Sequence, residues 1–145
     1  MSALVFVDSN VLIYSVDAGD PQKRDAARAW TEELWSSRRG RISFQVLQEF
    51  YWIAGKKVPE ARDQIRVEIR DLLAWEPVAI DGAVLEFGWK LQDRYQLSFW
   101  DALIVAAAKA AGCAFLLTED LQAGQDLDGV KVLNPFLTEP ASLGL

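Results

Sequence analysis

The chain has 145 residues, 51% of them hydrophobic and 25% charged, and a formal net charge of −6. That suits one compact domain with a single core, and no apolar stretch approaches the roughly 20 residues a bilayer demands. There is no histidine and only one cysteine, Cys113 in the apolar context AGCAFLL, which excludes Ser–His–Asp and Cys–His catalysis, histidine-based zinc sites and any intrachain disulfide.

The predicted elements alternate between short strands and helices. Leu4 to Val7 is an apolar run suited to a buried strand, broken by Asp8-Ser9-Asn10, after which Val11 to Val16 reads as helix. Pro21 opens a helix running to about Trp35. Arg38 to Arg41 form a basic turn, and Ile42 to Phe44 read as a second strand. Gln45 to Ala54 is helical, and Glu60 to Trp75 is a long amphipathic helix with Ile65, Ile69, Leu72 and Leu73 at helical spacing. Pro77 to Ile80 reads as a third strand and Ala83 to Tyr95 as another helix. Trp100 to Ala111 is an Ala-rich helix ended by Gly112. Phe115 to Thr118 and Val130 to Leu133 complete the strands. The expected fold is a single α/β domain over residues 1–145, with a mostly parallel central sheet flanked by helices. The start MSALVFVDSN lacks a basic leading region, so a cleaved signal peptide is not expected. A lone cysteine fits a reducing, cytoplasmic setting, with no membrane association.

Carboxylates are the reactive groups in excess, 21 Asp and Glu against 15 Lys and Arg. In open α/β sheets ligands bind at the carboxyl ends of the strands. Asp8 directly follows the first strand, and Asp120 lies two residues beyond FLLT. Asp101 opens the Ala-rich helix, and Glu49 sits in the helix QVLQEFYWIA at the edge of its apolar stripe. Each also has a purely structural reading. Asp8-Ser9-Asn10 can cap a helix, Ser98-x-x-Asp101 matches a capping box, and Asp120 can cap a turn. Taken together, four acids gathered in one cleft repel one another and persist as anions when divalent cations neutralise them. Oxygen ligands suit Mg²⁺ or Mn²⁺, and such ions can activate water against a phosphodiester without any histidine.

The order of these segments, VFVDSNVLIY, SFQVLQEFYW, LSFWDALIVAAA and LLTEDLQAG, resembles the PIN-domain family from Leu4 to about Phe136. The resemblance is closest to VapC-like ribonuclease toxins of type II toxin–antitoxin systems. It implies Mg²⁺- or Mn²⁺-dependent cleavage of RNA, with Asp8, Glu49, Asp101 and Asp120 as catalytic metal ligands. It also implies that Asn10 and Thr118 orient those carboxylates. Glu119 stands beside Asp120, and the family pattern favours Asp120; Asp126 and Asp128 read as solvated loop acids. The resemblance further implies a homodimer and a cognate antitoxin that lays an amphipathic segment in a helix-lined groove.

Net acidity looks unsuited to RNA binding. Setting the four site acids aside leaves 17 acidic against 15 basic residues. Arg38, Arg39 and Arg41, the pair Lys56 and Lys57, and the helical series Arg62, Arg66 and Arg70 are candidate phosphate-binding rims. Of Phe50, Tyr51 and Trp52, consecutive on one helix, at least one must point away from the core, since successive positions are about 100° apart. Alternative readings are a PIN nuclease of RNA processing or decay and a catalytically silent PIN-fold interaction module. A signalling receiver domain is disfavoured, because VFVDSN carries one acid after the strand where a receiver carries a pair.

Overall fold

The computed structural model describes residues 3–145. The apolar run Leu4–Val7 is strand β1, and its last three residues are fully buried. Helix α1 (Ser9–Val16) starts one residue later, and α2 (Pro21–Ser37) opens on Pro21 with Asp20 accepting a hydrogen bond from the Lys23 N–H. Proline costs nothing there, because first-turn N–H groups have no helical partner. Strand β2 (Gly40–Arg41) leads into α3 (Phe44–Lys57), and α4 (Arg62–Leu72) is flanked by single 3₁₀ turns. Helices α5 (Gly82–Tyr95) and α6 (Phe99–Ala110) precede β3 (Cys113–Leu117), β4 (Asp126–Leu127) and β5 (Val130–Leu133).

The five strands form one sheet in the order β2-β1-β3-β5-β4, parallel throughout except for β4 against β5. Parallel strands joined by helical crossovers are covered on their faces, hence the continuous apolar runs. Helix α6 lies against β3 and β5 with Ala102 to Ala108 buried, its small residues letting helix and sheet approach closely. Gly88 of α5 serves the same end, since a Cβ there would meet the Leu103 side chain at 2.9 Å. Gly40 carries the Trp75 indole on its α-carbon, within 2.7 Å of where a Cβ would stand.

Four local points differ from expectation. Ile42 to Phe44 are not a strand. The β2 pairing falls on Gly40 and Arg41, while the Ser43 hydroxyl accepts from the Val46 N–H at 3.3 Å and makes Phe44 the first residue of α3. Capping chemistry outweighs the β preference of Ile and Phe. Pro77 to Ile80 contribute only a single bridge, Val78 against Ser43, because Pro77 has no N–H to extend a ladder. The hairpin joining β4 to β5 was not anticipated. It turns on Asp128 and Gly129, both at positive φ (55° and 91°), the backbone a two-residue Asp-Gly turn requires. Leu73, expected on the apolar face of the α4 region, is exposed in the closing 3₁₀ turn.

The register sets up everything that follows. Val7 pairs with Leu117 on parallel neighbouring strands, so Asp8 and the segment Thr118 to Asp120 leave the sheet at the same edge. Helix α3 begins at that carboxyl edge, just after β2. Helix α6 runs back antiparallel to β3 and so also begins there.

Candidate active site

Asp8 does two jobs at once. Its Oδ1 accepts the Ser9 N–H at 2.7 Å and caps α1, while Oδ2 accepts the Thr118 hydroxyl at 2.8 Å. Thr118 is fully buried just past β3. Its oxygen also accepts from the Asn10 amide at 2.9 Å and from the Asp120 N–H at 3.1 Å. The Asn10 amide reaches Asp120 Oδ2 at 3.1 Å and, more weakly, Asp8 Oδ2 at 3.4 Å, while its Oδ1 accepts from the Glu119 N–H at 3.4 Å. The start of α1 and the segment after β3 are thereby fastened together by side chains more than 100 residues apart. In so dry a site each bond weighs more than it would in water.

Glu49 and Asp101 approach from the other side. Asp101 lies in the first turn of α6, where Ser98 caps the helix by accepting the Asp101 N–H at 3.1 Å. Glu49 lies in the second turn of α3, and its Oε1 is buried without a hydrogen-bond partner among the described residues. The Gln45 amide, one turn earlier, donates to the Trp100 carbonyl at 3.4 Å and ties the starts of α3 and α6 together.

The acids feel one another. Burial pushes the Asp8 carboxyl up to about 7, helped by the charges of Asp120 and Glu49 and opposed by the hydrogen bonds from Thr118 and Ser9. Glu49 is raised mainly by burial, with the Gln45 amide opposing and Asp101 and Asp120 adding. Asp101 is raised by burial and by Asp120, against its Ser98 contact. Electrostatic coupling links Asp120 to each of Asp8, Glu49 and Asp101, and Asp120 is the exposed member of the four. Among the described residues, no three acids close a ready-made metal shell.

Glu119 turns the other way. Its Oε2 accepts from Lys23 Nζ at 2.8 Å, and that ammonium also donates to the Tyr14 hydroxyl at 3.3 Å and lies over the Tyr14 and Phe136 rings. Neighbouring residues point apart, so Asp120 faces the cleft and Glu119 is neutralised outside it. Lys23 gives no sign in the sequence, being one charge among many on α2. Gln45 is legible, four residues before Glu49 and so on its face. Asp126 caps the hairpin at the Gly129 N–H, and Asp128 meets Arg94 and Lys109; both lie on the β4–β5 hairpin. The Cys113 thiol is buried and pushed up to about 12, which leaves it no nucleophilic role.

The basic groups do not gather at the cleft. Arg39 precedes β2, at the amino edge of the sheet, and is buried donating to the Ala3 and Leu143 carbonyls. Arg41 donates to the Arg38 and Gly40 carbonyls and pairs with Glu76. Lys57 pairs with Asp17 at the far end of α1, and Arg66 bonds Tyr51 and Asp63. Charge alone carries no direction, and the fold spends these cations elsewhere.

A parallel sheet whose carboxyl edge gathers acids from four separate segments defines a class of nuclease-like α/β domains. The chain belongs to the PIN-domain family, whose model matches residues 5–125. Solved structures share the fold. One is a toxin–antitoxin complex from Klebsiella pneumoniae, 23% identical, with 93% of this chain and 98% of that one covered at a TM-score of 0.65. Another is VapBC2 from Rickettsia felis bound to a DNA fragment from its promoter, 16% identical, covering 90% and 98% at a TM-score of 0.64. A third is the VapC20 toxin of Mycobacterium tuberculosis, which cleaves the sarcin–ricin loop, 19% identical, covering 77% and 86% at a TM-score of 0.57. No curated protein sequence matches the chain.

Proposed function

We propose that the protein is a metal-dependent endoribonuclease and the toxin of a type II toxin–antitoxin pair. The observation that carries this reading is the convergence of Asp8, Asp120, Glu49 and Asp101 on one cleft, with Asn10 and Thr118 bonded to the first two. The donor set is all oxygen, which suits Mg²⁺ or Mn²⁺. The unpartnered Glu49 Oε1 fits a cation ligand, since a buried carboxylate oxygen without a partner is costly. Mg²⁺ needs only one or two carboxylates beside its waters and substrate phosphates, so a closed protein shell is not required.

In this reading the four acids would hold the ion or ions, which would supply Lewis-acid chemistry for hydrolysis of a phosphodiester. The protein's own work is positional. The Thr118 hydroxyl fixes the Asp8 carboxylate plane, and Asn10 bridges Asp8 to Asp120, so two ligands keep one geometry whether or not substrate is present. Glu49 and Asp101 supply the charge that the cation must neutralise.

The fold likeness to structures described as toxin–antitoxin complexes supports an antitoxin partner, and a homodimer accompanies that reading. Among the described residues no helix is long and apolar enough to cross a membrane, and a cytoplasmic setting accompanies the toxin reading. The test is cleavage of RNA by purified protein with and without Mg²⁺ or Mn²⁺, beside Asp8→Asn. The variant is expected to stay folded by circular dichroism and to lose about 10²–10³-fold or more in rate. A folded Asp8→Asn protein with full activity sinks the assignment. Co-expression with the adjacent gene product tests the toxin role. A neighbour that neither binds nor inhibits leaves a PIN nuclease of RNA processing.

A further inference from the structure

With Arg39, Arg41, Arg66 and Lys57 engaged elsewhere, the stripe of α3 beside Glu49 offers something other than a row of arginines. Gln45, Glu49, Trp52 and Lys56 are spaced by four, three and four residues and form one stripe down α3. The stripe starts against α6 at the Trp100 carbonyl, passes the half-buried Glu49 and emerges at Trp52, which is 64% exposed. Lys56 Nζ lies 4.2 Å from the Trp52 ring centre and covers one indole face. Among the described residues Lys56 joins no ion pair. On the opposite flank, Trp100 immediately precedes Asp101 and is also 64% exposed. Its ring is steadied by the Phe99 edge at 5.1 Å. Two exposed indoles thus stand on the helices that carry Glu49 and Asp101, with a cation at one end of the α3 stripe.

We propose that Trp100 and Trp52 are stacking platforms for unpaired bases, and that Lys56 takes a phosphate, so that a single strand of RNA crosses the cleft along α3. The proposal rests on the nuclease reading of the acids and deepens it by naming the side chains that would take the strand. An indole face stacks on any base with little sequence preference, but only on a base that is not buried in a duplex. From Glu49 to Lys56 the helix rises about 10 Å, room for a few nucleotides at the roughly 3.4 Å spacing of a stacked strand. Burying two exposed tryptophans against bases also explains why an acidic surface needs few free cations: the divalent ions offset the charge at the cut, and Lys56 offsets it one step away. Both tryptophans are positioning residues here.

The probe is a fluorescein-labelled ten-nucleotide RNA, free or annealed to its complement. Anisotropy with Ca²⁺ reads affinity, and kinetics with Mg²⁺ or Mn²⁺ read kcat and KM. Trp100→Ala and Trp52→Ala are each expected to raise KM and Kd for the free strand about tenfold, with kcat little changed. Trp100→Phe and Trp52→Phe are expected to recover most of the loss, and Lys56→Gln to flatten the salt dependence of binding. The duplex should bind weakly to every form. Equal KM and Kd in the alanine variants and the wild type overturn the track, as does equal affinity for duplex and free strand. So does a change in oligomeric size with RNA affinity unaltered, which would assign the indoles to a protein interface. Wild-type protein that binds the free strand in a tryptophan-dependent way, yet cuts nothing with either metal, overturns the nuclease reading and leaves the track standing.

Discussion

The two halves of the acidic cleft are built on different principles. Asp8 and Asp120 are fastened by Asn10 and Thr118 through bonds of 2.8 to 3.1 Å, so the protein's own side chains fix their geometry. Glu49 and Asp101 are carried in the first two turns of their helices, with a buried Glu49 oxygen unpartnered among the described residues. One half is preorganised and the other holds unrelieved charge. A site for a hard cation gains from both, since fixed ligands set the geometry and unsatisfied ones supply the driving force.

That contrast is broken most sharply by comparing Glu49→Gln with Thr118→Val. Glu49→Gln removes an anionic ligand, and cleavage is expected to fall about a hundredfold or more. The same change is expected to raise the melting temperature of the metal-free protein, because a carboxylate held above its usual range by burial becomes neutral. It should also shrink the rise in melting temperature on adding Mg²⁺ or Mn²⁺. Thr118→Val is isosteric but takes a hydroxyl from Asp8 and an acceptor from Asn10 and the Asp120 N–H. Activity is expected to fall about 10–100-fold, and stability by about 1–3 kcal/mol. Loss of stability in both variants, followed by thermal melts in chelator, would erase the distinction between the halves.

A smaller effect comes from pH. Asp8 titrates at about 7 in the folded protein against about 3.9 when unfolded. Between those values the folded state keeps a proton that the unfolded state gives up. The stability Asp8 contributes is therefore fully present below about pH 4 and lost as pH rises through 7. At about 1.4 kcal/mol per unit, that is a few kcal/mol at most. In chelator, wild-type stability is expected to decline across this window more steeply than that of Asp8→Asn. Parallel curves would show that Asp8 is not the group responsible. Adding divalent metal is expected to reverse the trend near neutrality, since the cation competes with that proton.

Much of this was legible in the sequence, for reasons that differ by residue. β1 and β3 announce themselves as apolar runs, and an acid after each lands on the shared edge of a parallel sheet. Asp101 leaned on the family pattern, because a cap and a ligand look alike at the start of α6, whereas Glu49 stood out on its own as an acid at the edge of an apolar stripe. β4 escaped notice because two residues carry no periodicity, although the Asp128-Gly129 pair was a turn signal in plain view. Ile42 to Phe44 read as strand because Ser43 was weighed as a β residue and not as a cap. Of Phe50, Tyr51 and Trp52, the 100° step forced one outward; Phe50 is buried and Trp52 is the exposed one. The arginines misled, since Arg39 is held by backbone carbonyls that only the fold brings near it.

Between the neighbours Glu119 and Asp120 the family pattern favours Asp120, and Lys23 holds Glu119 on the other side. The Lys23–Glu119 pair is partly exposed, with side-chain accessibilities of 35% and 22%. Such a pair is worth about 0–1 kcal/mol after solvent screening, and the contacts of the ammonium with the Tyr14 and Phe136 rings add little more at an exposed site. Lys23→Ala is therefore expected to lower the melting temperature only slightly. Its effect on cleavage should also be small, under about tenfold, because Asp120 is still held by the Asn10 amide and its own N–H still reaches Thr118. Glu119→Gln should behave alike, since both substitutions undo one contact outside the cleft. Lys23→Arg, which keeps the charge, should match the wild type. Single-turnover cleavage rates of the three variants decide the matter. A loss near that of Asp8→Asn in Glu119→Gln alone would make Glu119 a ligand and Lys23 its counter-ion. Equal small losses in Lys23→Ala and Glu119→Gln fit a strut that keeps a fifth carboxylate turned away from the metal.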